Sequence, residues 1–163
     1  MVRPVVTASI LSLLFAPLSL AGEAPTAEAD QYLETANAVV ASLNTDGPNA
    51  EEIVSSITDM LELAKPVITH WGVLHSQCAE QLAKVIELYP QIDTWTPAEI
   101  RRNIETGASL PSARGCYAGR DVIAHPAITR AIARDGITAD NQARLRAEMA
   151  EAIEHMTNIR AEF

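Results

Sequence analysis

Aromatic residues make up only 4% of this 163-residue chain. That scarcity argues against a stacked platform of the kind that grips sugar rings or single-stranded bases. Bases are scarce beside acids, and the formal net charge is −9. Lys65 and Lys84 are the only bases between Gly22 and Asp93. Such a balance repels the phosphates of nucleic acid and an anionic membrane surface, whereas it admits a metal ion or a cationic partner. Alternating runs of β-branched residues and hairpin signals are missing, so no strand is expected. No repeat recurs at a solenoid period. The chain lacks a glycine-rich phosphate loop, an HExxH motif and a GxSxG elbow, which leaves no catalytic signature. It also lacks a CxxCH site, so any haem would be held non-covalently.

The long hydrophobic runs are confined to the N-terminus. Arg3 precedes an apolar stretch from Val5 to Leu20 that Pro17 interrupts, and Ser19-Leu20-Ala21 places small residues before Gly22. Residues 1–21 therefore read as a secretory signal cleaved before Gly22, with no stable membrane anchor afterwards. The expected location is periplasmic or secreted, in a bacterial-type cell envelope. Residues 22–30 are small and acidic and read as a flexible lead-in. Residues 31–163 form one all-α domain in this reading.

Helical periodicity supports that class. Leu33, Ala36, Val39 and Leu43 recur at steps of three and four, and Gly47-Pro48 ends the pattern. A second helix starts at an Asn49 cap, carries Ile53, Ile57, Leu61 and Ala64, and should kink or break at Pro66. The cleanest stripe follows: Val67, Trp71, Leu74, Cys78, Leu82, Val85 and Tyr89, read as one buried helix closed by Pro90. Thr96-Pro97 with Glu99 forms a capping box for a short helix that ends by Gly107. "GASLPSARG" reads as a loop. A helix from about Arg114 should run to Ala124 and end or kink at His125, because Pro126 follows, and Ile128 to Arg134 reads as another short helix. Thr138 or Asp140 caps the last helix, lined by Leu145, Met149, Ala152, Ile153 and Met156. Short connections point to an antiparallel helical bundle of three to four longer helices plus two or three short ones.

The chain has two cysteines and four histidines. In an exported protein, Cys78 and Cys116 are expected to form one disulfide that staples the bundle. The rival is a divided metal site, since "HWGVLHSQC" and "CYAGRDVIAH" each bring histidine and cysteine together. His70 and His75 are five apart, which splays them on a helix, and a disulfide would consume the sulfur of Cys78. Asp121 and His125 are four apart and can meet on one face, as in an oriented ligand or general-base histidine; a helix-terminal cap explains the same spacing. Arg120 is a candidate anchor for a carboxylate or phosphate. His155 lies on a polar face with Glu148 and Glu151 and is expected to be solvated.

Three functions follow. The first is a non-enzymatic binding or interaction module, recognising a cationic cell-envelope protein or a small ligand. The second is a metal- or haem-binding protein that holds copper, zinc or haem through His70, His75, His125 and Asp121. The third is a small hydrolase or lyase that uses the Asp121–His125 pair.

Overall fold

A computed structural model describes residues 24–107, 110 and 115–163. The expected signal segment, most of "GASLPSARG" and the helix start near Arg114 lie outside the described residues. Among the described residues the chain is all-helical, with six α-helices and one disulfide.

Helix α1 spans Thr26–Ser42 and buries Ala29, Tyr32, Ala36 and Val39. It opens inside the stretch read as a flexible lead-in. The reason is a buried stripe that starts at Ala29, one turn before the first large apolar side chain.

Helix α2 spans Ala50–Leu74, and the Asn49 side chain accepts from the backbone N–H groups of Glu51 and Glu52. Pro66 does not break it. Both Pro66 and Glu62, whose carbonyl loses its helical donor, are exposed, so water can serve that oxygen.

The long helix expected from Val67 to Tyr89 is instead interrupted. Backbone angles at His75 leave the helical region, Ser76–Cys78 forms a 3-10 turn, and α3 runs from Ala79 to Leu88. Leu74 drops out of the stripe and is half exposed. Gly72 shows why the chain can fold back here. The Cα of Ala79 lies 3.5 Å from where a Gly72 Cβ would stand, so α3 packs closely on the end of α2. A further 3-10 segment, Tyr89–Thr94, leads to α4, Pro97–Ile100. The Thr96–Glu99 capping box forms as expected. Helix α4 then widens into a π turn over Arg101–Glu105, closed by the bond from Thr106 N–H to the Arg101 carbonyl at 2.8 Å.

Helix α5 spans Tyr117–Arg134 without interruption, so the two short helices expected around Pro126 are one. Proline at 126 cannot donate to the carbonyl of Val122. The buried Tyr32 hydroxyl donates to that oxygen instead, at 2.8 Å. Every residue from Asp121 to Ala133 is buried, because α5 packs against α2 and α6 and also touches α3, α4 and the π turn. Gly119 permits part of this packing: a Cβ there would stand 2.7 Å from the Trp71 ring. Helix α6 spans Ala139–Arg160 and starts at a Thr138–Asn141 capping box. Contacts among the four long helices close a cycle, α1 on α2, α2 on α5, α5 on α6 and α6 on α1.

Cys78 and Cys116 form the expected disulfide, with Cα atoms 5.4 Å apart. It joins the entry of α3 to the residue that precedes α5.

Candidate metal centre

The seam between α5 and α6 brings two polar stripes together. Asp121 and His125 are one turn apart on α5, and Glu148, Glu151 and His155 occupy successive turns of α6. These side chains, with Tyr117 and the π-turn residues Arg101 and Glu105, line a cleft of about 460 Å³.

His125 is oriented by a carboxylate. Its Nδ1 lies 2.9 Å from Glu148 Oε2, and both residues are buried. Arg101 Nη2 donates to the other Glu148 oxygen at 2.6 Å, and Arg101 Nη1 donates to Glu105 Oε1 at 2.9 Å. Arg144 adds a weaker ion pair, with its Nε 3.6 Å from Glu148 Oε1. With Nδ1 engaged, Nε2 is the His125 nitrogen left for a ligand.

Burial disfavours charge on His125, but the Glu148 hydrogen bond and the Asp121 carboxylate outweigh it and hold its pKa above the ordinary value. Burial likewise opposes charge on Glu148, yet His125 and Arg101 hold its carboxyl below the usual range. Asp121 behaves in the opposite way. Burial pushes its pKa up, against the pull of Arg120, His125 and His155.

His155 is the residue that sequence reasoning missed. It is buried, at 8% exposure, rather than solvated. Its ring is nearly parallel to that of His125, with centroids 5.7 Å apart, and Tyr117 stands edge-on to it. Its Nε2 is 3.9 Å from Asp121 Oδ2 and 4.0 Å from Glu151 Oε2, beyond hydrogen-bond distance from either. Its Nδ1 is buried without a hydrogen-bond partner. A signal for its burial was present. Leu145, Glu148, Ala152, His155 and Ile159 recur at steps of three and four, and all five are buried.

Asp121, His125 and His155 each present one donor atom, and these atoms lie within 4.8 Å of one another. Among the described residues this is the one such group of three or more histidine, cysteine, aspartate or glutamate side chains. A tetrahedral ion at about 2.0–2.3 Å from each donor sets neighbouring donors about 3.3–3.7 Å apart, so ligation requires these side chains to draw together.

The other residues singled out from sequence stand elsewhere. His75 Nε2 pairs with Glu162 at 2.5 Å, and its ring lies 4.5 Å from that of Trp71. His70 stacks edge-on against Phe163, with centroids 5.2 Å apart. Neither belongs to the donor cluster. Arg120 Nε donates to Asp121 Oδ1 at 3.0 Å, so it steadies that carboxylate. Cys78 and Cys116 are consumed by their bridge and offer no thiolate.

Comparison with protein-family models, with curated proteins and with solved structures finds no match for this chain.

Proposed function

We propose that this protein is a metal-binding module that holds a divalent first-row ion through Asp121, His125 and His155. The observation that carries this reading is the carboxylate–histidine pair. Glu148 engages His125 through Nδ1 and leaves Nε2 for the Asp121–His155 cluster, as outer-shell carboxylates do at metal-bound imidazoles. His155 adds a second buried imidazole to the same cleft, with its Nε2 3.9 Å from Asp121 Oδ2. Two imidazoles and one carboxylate suit zinc or copper(II) better than calcium or magnesium. The cleft suits an ion better than a haem, because acids and Arg101 dominate its lining and a macrocycle needs an apolar slot.

The ion is then the ligand of a non-enzymatic binding module, and no catalytic step is assigned. His70 and His75 take no part in this version of the metal reading. We read the four long helices as an antiparallel bundle, because a short link, residues 135–138, joins α5 to α6. The buried Cys78–Cys116 bridge favours an oxidising compartment, in the periplasm or outside the cell.

The test is calorimetric titration of chelator-stripped protein, free of any histidine tag, with zinc and with copper(II). One equivalent should bind. His155→Ala, His125→Ala and Asp121→Asn should each weaken binding at least about tenfold. Saturable binding that survives all three substitutions, or none in the parent protein, would reject the site.

A further inference from the structure

We infer that Glu151 is the fourth and exchangeable ligand of this ion, so that the module captures and releases a divalent cation as cargo. The inference rests on the metal reading above.

Three protein donors leave a tetrahedral ion one ligand short. The cleft offers few side chains to supply it. Glu148 is spent, with one oxygen on His125 and the other on Arg101. Glu105 is held by Arg101. The Tyr117 phenol would have to lose its proton to compete with a carboxylate.

Glu151 has none of these commitments. It sits one turn before His155 on α6, so the two side chains share a face. Its Oε2 stands 4.0 Å from His155 Nε2, and its side chain is 57% exposed. A small rotation brings it onto an ion held by His155. Charge also favours it. Glu105, Asp121, Glu148 and Glu151 carry four negative charges, which Arg101, Arg120 and a divalent ion balance. A neutral site lowers the cost of taking the ion out of water.

Exposure makes this ligand different from the other three. Asp121, His125 and His155 are all buried. Glu151 alone can swing into solvent without disturbing the core, leaving the ion on three donors with an open face. Release through such a step should be fast compared with a site whose four ligands are all buried.

The experiment uses the protein with its disulfide intact and zinc as the probe. Affinity is read by competition with a chromophoric chelator, and release by stopped-flow mixing with excess chelator. Glu151→Gln is compared with Glu154→Gln, which removes the same charge from an exposed position on the same helix. Glu151→Gln should raise both the release rate and Kd about tenfold, and Glu154→Gln should change neither more than about twofold. Equal behaviour of the two variants, with zinc still bound by the parent protein, overturns the role of Glu151 and leaves the three-residue site standing. Failure of the parent protein to bind zinc overturns both.

Discussion

His125 and Glu148 face each other across the seam of α5 and α6, with Nδ1 and Oε2 2.9 Å apart and both side chains about nine-tenths buried. Folding raises the pKa of His125 above its ordinary 6.5 and lowers that of Glu148 below its ordinary 4.5. The Glu148 contribution is present above 4.5 and disappears as pH falls through its depressed folded value. The His125 contribution is present below 6.5 and disappears as pH rises through its raised folded value. Both are therefore complete between pH 4.5 and 6.5. Glu148→Gln should cost about 1–2 kcal/mol in that window, the difference between a charged and a neutral hydrogen bond. Urea unfolding of the metal-free protein across pH checks this. The gap between parent and variant should narrow on either side of the window.

Tyr32, which does not line the cleft, predicts a second effect. Its hydroxyl serves the Val122 carbonyl that Pro126 cannot reach, and burial pushes the phenol's pKa up. Tyr32→Phe keeps the ring and removes only that donor. A buried carbonyl left without a partner costs about 1–3 kcal/mol. The denaturation midpoint should fall by a corresponding amount with an unchanged m-value. Pro126→Ala, which restores a backbone N–H, should recover part of the loss when combined with Tyr32→Phe. A midpoint that does not move would show that Val122 finds another donor.

These two pairs mark the boundary of what the sequence discloses. Three-and-four spacing located the helices, and the Thr96–Glu99 and Thr138 caps are where local chemistry places them. The even cysteine count, with export expected from the N-terminal segment, points to the disulfide. Pro66 and Pro126 read as kinks or breaks because local rules see the lost donor and not its substitute. For Val122 that substitute is a tyrosine 90 positions away. The break at His75 is hidden for a related reason, since Val67 to Tyr89 keeps three-and-four spacing in sequence across a turn where α3 packs closely on Gly72. Within the candidate site, the spacing of Asp121 and His125 showed a shared face. His155 was assigned to solvent because Glu148 and Glu151 made its face polar. A polar helix face is buried when a second polar face meets it, and that pairing is tertiary information.

The Cys78–Cys116 bridge gives a third prediction. It closes a separation of 38 residues, and both sulfurs are buried. Loop closure of that size restricts the unfolded chain and is worth about 3–4 kcal/mol in the chain-entropy model. Unfolding measured with and without reductant should show a loss of that order, as should the Cys78→Ala/Cys116→Ala variant. Agreement between the reduced parent and the double alanine variant would assign the effect to the crosslink itself. A loss well below about 1 kcal/mol would mean that the reduced chain retains compensating structure.

His155 separates stability from ligand binding most sharply. In the metal-free protein its buried Nδ1 has no partner, which a leucine of similar bulk would not suffer. His155→Leu should therefore leave the metal-free protein as stable as the parent or up to about 1 kcal/mol more stable. Zinc should reverse the order. An ion present at a hundred times its Kd stabilises the parent by about 2.7 kcal/mol, and a variant without the site gains nothing. Thermal melts with and without zinc check both halves at once. His70→Ala and His75→Ala should keep the full zinc response, because those rings pack against Phe163 and Glu162 outside the donor cluster. A zinc response that persists in His155→Leu but disappears in His75→Ala would move the metal site from the α5–α6 seam to the end of α2.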